Sequence, residues 1–360
     1  MEKLVLSILL VSCVRAHLPV PDHETYKTIG STDVDPIVEG GSIELSTVDD
    51  DNNKVALDLT ADFDENEEDT EKDLSNRIFF YLYTKESPKV PELLTIDDSS
   101  ALQKSSIDLT LPTIIVTHGW FNSHNNPTCT EIRDAYLKHG DYNVIVVDWS
   151  RISMKPFMWA RKRVVMVGKY VSAFINFLVE HGIDVSKLTV AGHSLGAHIA
   201  GLASHYANKK AARVRDLVTG LDPTLVAFEN DGPGERIAKG DAEHVEIIHT
   251  TAGIWGFADP IGDVDFYPNG GTKQNGCAIN VHPICGHFRA PFYFAESINS
   301  ETGFWAVQCD SYSDFKDGKC KSNPVTLMGG GKPDLDAKGA YYLDTASAPP
   351  YALGPISSRR

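Results

Sequence analysis

Leu188-Thr-Val-Ala-Gly-His-Ser-Leu-Gly-Ala-His-Ile-Ala-Gly201 is the stretch around which the rest of the 360-residue chain can be ordered. It begins as a short apolar strand, Leu188–Ala191, and passes through Gly192-His193-Ser194-Leu195-Gly196. It then enters a helix whose apolar positions Leu195, Ile199, Leu202 and Tyr206 recur at helical spacing. In this context G-x-S-x-G is a sharp strand-to-helix turn that lifts a serine hydroxyl above a sheet edge, where it can act as a nucleophile. Glycines two before and two after the serine let neighbouring backbone come close without a Cβ clash. The five-residue pattern alone arises by composition in unrelated chains; the strand before it and the helix after it separate a nucleophile from a structural turn.

Further strands are expected on both sides of this turn. Upstream lie the apolar runs Ile78–Tyr83, Pro112–Thr117 and Val144–Asp148; downstream lie Asp216–Leu221 and Val245–His249. Helical patterns fall between them at Thr130–His139, which stops at Gly140, and at Ala160–His181. The second carries the stripe Val167, Val171, Phe174 and Leu178, with Gly182 where a C-terminal capping glycine belongs. A later helix is expected at Ala290–Ile298. Strands alternating with helices of these lengths predict an α/β fold with a mostly parallel central sheet flanked by helices.

Composition sets the boundaries. The net charge is −16, but residues 17–76 hold 18 acids and 3 bases, so the body from residue 77 onward is nearly neutral. Residues 1–16 read as a secretory signal peptide: Lys3, an apolar run Leu4–Val14, and Val14-Arg15-Ala16 as a small-residue cleavage site. That run is too short for a membrane span, and no transmembrane segment is expected elsewhere. Residues 17–76, with Asp49-Asp50-Asp51 and the acidic run Asp62–Asp73, are expected to be a disordered lead or a removable pro-segment. Residues 77–345 form the body, and the Pro-rich 346–360 reads as a tail. Nothing resembles a basic nucleic-acid footprint. Removing Cys13 with the signal leaves Cys129, Cys277, Cys285, Cys309 and Cys320, an odd number in an oxidising compartment, hence at least one free or intermolecular thiol.

A serine nucleophile needs a base and a group that orients the base, in the chain order Ser, acid, His. Asp222 follows a strand directly, 28 residues beyond Ser194, which brings its carboxylate to the same sheet edge. Asp216, Asp259, Asp263 and Asp265 are rivals that end no strand so cleanly. For the base, His244, His249, His282 and His287 remain. His249 ends a strand; His287 sits in what reads as a loop, next to Cys285. Both stay open on the residues alone. Oxyanion donors are expected from the backbone N–H of Leu195 and from that of Trp120 in His118-Gly119-Trp120. Cys277, His282, Cys285 and His287 have the ligand types of a zinc site. In a secreted chain a disulfide is the favoured reading, and no cofactor or metal is expected.

With these residues assembled, the chain resembles the pancreatic-type lipase family, secreted lipases and phospholipases A1 with an α/β-hydrolase fold. The resemblance rests on Val116-Thr-His-Gly-Trp-Phe-Asn-Ser123, Val147-Asp148-Trp149-Ser150, Val190-Ala-Gly-His-Ser-Leu-Gly-Ala-His198 and Thr219-Gly-Leu-Asp-Pro-Thr224. It continues through Ile247-Ile-His-Thr250, Asp265-Phe-Tyr-Pro-Asn-Gly-Gly271, Cys285-Gly-His-Phe-Arg289 and Tyr341-Tyr-Leu-Asp344, in the family's order. It implies Ser194, Asp222 and His287 as the catalytic triad and Trp120 and Leu195 as the oxyanion hole. It also implies Cys277 paired with Cys285 across a lid, Cys309 paired with Cys320, and Cys129 left as a buried thiol. The implied partner is a lipid substrate at a membrane, micelle or droplet surface.

Three departures from the family pattern stand out. The C-terminal β-sandwich domain of the pancreatic members is not expected here. The lid, Ala278, Ile279, Asn280, Val281, His282, Pro283 and Ile284, is seven residues long, and the loop after His249 is also short, as in the phospholipase A1 and galactolipase branch. In the family's calcium segment, Pro233–Asp241, Pro233 and Ala238 replace carboxylates while Arg236 and Asp241 remain, so no calcium is expected there.

Overall fold

An eleven-stranded sheet with antiparallel edges and a parallel centre organises the protein. The computed structural model describes residues 44–48, 54–58, 74–208, 217–277, 283–331 and 333–356. A two-stranded antiparallel hairpin, β1 (Glu44–Val48) with β2 (Lys54–Asp58), stands apart from that sheet. The main sheet comprises β3 (Phe79–Tyr83), β4 (Glu92–Leu94), β5 (Thr113–Thr117), β6 (Asn143–Asp148), β7 (Leu188–His193) and β8 (Leu217–Leu221). It continues with β9 (His244–Ile248), β10 (Val264–Pro268), β11 (Trp305–Gln308), β12 (Val325–Leu327) and β13 (Gly339–Leu343). Their order is β12-β11-β13-β10-β9-β8-β7-β5-β6-β3-β4. Parallel pairing runs unbroken from β13 through β6; β3, β4, β11 and β12 close the two edges antiparallel. The fold is an α/β hydrolase.

Two cores follow from the period-two alternation of the buried strands. On one face Ile115, Val190, Val218, Val245 and Ile247 meet α2 (Val164–Glu180) and α3 (Leu195–Asn208). On the other, Ile114, Val116, Ala191, Ile248 and Phe266 meet α1 (Pro127–His139) and α4 (Pro283–Asn299). The stripe Val167, Val171, Phe174 and Leu178 is buried as its spacing predicts. Helices α2 and α3 pack closely because Gly168 faces Leu202, where a Cβ would stand 2.7 Å from the leucine Cβ.

Several boundaries differ from expectation. Helix α1 starts three residues early because Asn126 caps it, accepting from Thr128 N–H, and Pro127 fits the first turn. The long helix divides into Phe157–Lys162 and α2, with Gly182 at φ +109° beyond its end. The hairpin β1–β2 forms inside the stretch read as a disordered lead, and Leu74, in the same stretch, is buried in the body's core. Residues 17–43, 49–53 and 59–73 of that stretch, and the signal peptide, lie outside the described residues. Residues 346–356 are not a free tail: Tyr351 and Ala352 are buried in the second core, and both backbone N–H groups donate to Glu296.

The second core holds an unusual acid. Glu246, in the middle of β9, is 2% exposed and its Oε1 has no hydrogen-bond partner. Burial raises its pKa from 4.5 to about 8, only partly offset by the Gly329 N–H. A carboxyl whose folded pKa lies above its unfolded one binds more protons when folded, so stability is lost as pH rises through that window. The advantage of Glu246→Gln over the wild type should therefore widen by roughly 4 kcal/mol from about pH 5 to about pH 8.5. Denaturant midpoints measured across that range check this; a constant difference would refute it.

Candidate active site

The parallel strands carry the site at their C-terminal ends. Ser194 follows β7 directly and opens onto α3, with φ at +60°. A non-glycine residue in that region is strained, and the surrounding packing must hold it there. The flanking glycines show how. A Cβ on Gly192 would stand 2.1 Å from the Gly196 oxygen, and one on Gly196 would stand 2.4 Å from the His118 oxygen. Any side chain at either position collides with backbone. The turn is closed by Ser194 N–H donating to Leu221 O (3.1 Å).

Asp222, directly after β8, has φ +46° and is fully buried. Its Oδ1 accepts Thr250 N–H (2.7 Å) and Thr251 N–H (2.9 Å); its Oδ2 accepts the Thr251 hydroxyl and His287 Nδ1 (2.6 Å). Burial works to raise the carboxyl pKa. The bonds from His287, Thr251 and Thr250 outweigh it and hold the group below the usual carboxylate range. Gly256 makes room, since a Cβ there would stand 2.4 Å from Asp222 Oδ1.

The expected loop around His287 is instead the beginning of α4, which starts at Pro283, and the Cys277–Cys285 disulfide ties this helix to the preceding chain. The His287 ring lies edge-on to Trp255 (5.3 Å) and packs against His193 (4.3 Å). His193 Nε2 donates to the His287 carbonyl (3.0 Å), joining the serine turn to the histidine helix. Burial, reinforced by the neighbouring His287, holds the His193 pKa well below the usual histidine range and keeps it neutral. Ser194 Oγ bonds Thr224 Oγ1 (2.9 Å) rather than the imidazole.

Of the rival residues, His249, Asp263 and Asp265 are engaged elsewhere. His249 is fully buried with both nitrogens committed, to Phe257 O (2.7 Å) and Asp265 Oδ1 (2.8 Å), and stacks flat on Tyr267. Asp265 also accepts from Ile261 and Gly262 N–H, and Asp263 accepts from Val245 N–H. Asp241, in the segment considered for calcium, accepts from His205 and from Ala238 N–H. Asp216 and His282 lie outside the described residues.

Leu195 is the first residue of α3, where helical N–H groups lack intrahelical acceptors. The Gly119–Trp120 peptide runs beside Ser194, and a Cβ on Gly119 would stand 2.7 Å from Ser194 Cβ. His118 Nδ1 donates to the Gly119 carbonyl (2.9 Å), while Trp149 N–H donates to its Nε2 and Trp149 Nε1 to its carbonyl. In a trans peptide the carbonyl and the next N–H point in opposite directions, so anchoring the Gly119 oxygen also fixes the Trp120 N–H. Exposed apolar side chains adjoin these parts: Phe121 next to Trp120, and Ile254 next to Trp255.

Of the lid, Ala278–His282 lie outside the described residues; Pro283 and Ile284 open α4. Cys309 is bonded to Cys320, and Cys129 is a free, fully buried thiol whose pKa burial pushes up, which leaves it unreactive. The sequence reading missed Thr250, Thr251 and Gly256 around Asp222, the ties made by His118 and His193, and Thr224. Thr224 and Thr250 lie in quoted motifs, yet their residue types alone did not mark them. No group of three or more metal-ligating side chains occurs among the described residues.

A family model described as Lipase matches residues 43–351. Phospholipase A1 member A from Bos taurus is 32% identical, over 77% of this chain and 63% of its own. Inactive pancreatic lipase-related protein 1 from Homo sapiens is 31% identical, over 67% and 56% of the two chains. Pancreatic triacylglycerol lipase from Myocastor coypus is 30% identical, over 74% and 61%. The chain thus spans less than two thirds of the length of these relatives.

Proposed function

Because the chain belongs to the pancreatic-type lipase family, we propose that it is a secreted serine esterase that hydrolyses carboxylic ester bonds of lipids. The observation that carries this reading is the buried Asp222–His287 pair, bonded at 2.6 Å and packed against the strand-to-helix turn that holds Ser194. Ser194 Oγ attacks the ester carbonyl carbon and its proton passes to His287 Nε2. Asp222 holds Nδ1–H and stabilises the imidazolium. The oxyanion is received by Leu195 and Trp120 N–H, each such donor worth about 3 kcal/mol in the transition state. The leaving alcohol takes the proton from His287, and water then releases the acyl group by the same route.

The substrate is a phospholipid or galactolipid cleaved at the sn-1 ester. The short lid segment, seven residues between Cys277 and Cys285, resembles that of the phospholipase A1 and galactolipase branch, and phospholipase A1 member A is among the relatives. Exposed Phe121 and Ile254 beside the site favour a substrate presented at a membrane, micelle or droplet surface. Two disulfides fit an oxidising, extracellular location, and no helix among the described residues is long and apolar enough to cross a membrane.

Two alternatives have support of their own. Triacylglycerol hydrolysis is favoured by the pancreatic triacylglycerol lipase among the relatives, and a non-catalytic lipid-binding role by the inactive relative. Hydrolysis of phosphatidylcholine and of triolein, with Ser194→Ala as the blank, separates the three. Release of the sn-1 acyl chain from phosphatidylcholine, with a 2-acyl lysolipid left behind, is the expected result. Preference for triolein would reassign the substrate, and lipid bound without turnover would make the protein a carrier.

A further inference from the structure

Among the described residues the Ser194 hydroxyl has one hydrogen-bond partner, and it is not His287. Ser194 Oγ lies 2.9 Å from Thr224 Oγ1, two residues beyond Asp222. Thr224 cannot easily move. Its carbonyl accepts His198 Nε2 (2.8 Å), it bridges to Gly256, and its neighbours Pro223 and Leu225 are bonded to Phe257 N–H and Trp255 O. The residue is 5% exposed, so water does not compete freely for the bond. Ser194, by contrast, can rotate about one torsion between staggered wells, carrying its oxygen roughly 2 Å.

Building on the serine-esterase reading, we propose that Thr224 is a positioning residue that parks the Ser194 hydroxyl away from His287 until a substrate carbonyl arrives. Attack then requires the Ser194–Thr224 bond to break before the hydroxyl can align with the imidazole. A net protein hydrogen bond of ordinary strength corresponds to a threefold to tenfold bias toward the parked rotamer. Neither partner in that bond ionises in the working range of the imidazole. The bias is therefore a factor independent of pH.

The test is phosphorylation by diethyl p-nitrophenyl phosphate, followed as p-nitrophenolate release. In this reaction the Ser194 Oγ–phosphorus bond forms, the phosphorus–oxygen bond to p-nitrophenolate breaks, and the serine proton passes to His287. Thr224→Val keeps the shape and removes the hydroxyl; it should raise the second-order labelling rate about threefold to tenfold, with the midpoint of the pH profile unmoved. Thr224→Ser restores a hydroxyl and should return the slow rate. A labelling rate for Thr224→Val equal to or below that of the wild type overturns the parking role, as does an acceleration that Thr224→Ser shares. Failure of the underlying reading looks different: the wild-type protein itself would release no p-nitrophenolate.

Discussion

Ser194→Ala is expected to lower kcat for ester hydrolysis by about a millionfold, because the members of such a site act as a unit and the nucleophile has no substitute. The fold should survive. The side chain gives up one hydrogen bond, to Thr224, and the Cβ that the turn already accommodates is kept. An unchanged denaturation midpoint together with lost turnover is the predicted pair of results. Retained turnover in a folded variant would show that another group attacks the ester.

Asp222→Asn should be the next most severe change, lowering kcat by about ten thousandfold with little change of geometry. Four donors surround this carboxylate: Thr250 N–H and Thr251 N–H on Oδ1, the Thr251 hydroxyl and His287 Nδ1 on Oδ2. An asparagine would keep its oxygen toward the two backbone N–H groups, which can only donate, and turn its NH₂ toward His287. Nδ1 must then accept, which moves the imidazole proton to Nε2, the nitrogen that has to take the serine proton. A kcat within tenfold of the wild type would remove Asp222 from the account.

Much of this arrangement was legible in the sequence where a local pattern and a global need coincide. The serine turn was readable because apolar strand, glycine pair and helical stripe occur in one short run. Asp222 was readable as the residue ending a strand, and the parallel sheet as alternating strands and helices. His287 was harder. The stretch around Cys285 and His287 read as a loop before the helix expected at Ala290, yet Pro283 suits the first turn of α4, and Gly286 is there because a Cβ would press to 3.0 Å of Thr251 Cγ2. The two histidines could be separated by residue pattern only after the family resemblance; in the structure, the bonds from His249 to Phe257 O and Asp265 engage both its nitrogens.

What escaped the sequence has a common physical origin. Strands β4, β11 and β12 are three or four residues long and pair only at the sheet edges, too short for periodicity to register. Tyr351 anchors a Pro-rich segment through contacts with Arg289 and Tyr293, more than fifty residues away in sequence. Thr224, Thr250 and Thr251 act through hydrogen bonds that depend on where the backbone turns, which residue type alone does not disclose. Glu246 sits at an interior strand position where the apolar pattern predicts no acid.

The most direct test of the central claim, that Ser194 is an activated nucleophile, is to treat the intact protein with diethyl p-nitrophenyl phosphate and map the adduct by peptide mass spectrometry. The account predicts a single diethylphosphoryl group on Ser194 in the wild type and none on Ser194→Ala. No adduct on the folded wild-type protein, or an adduct on another residue that persists in Ser194→Ala, would contradict it.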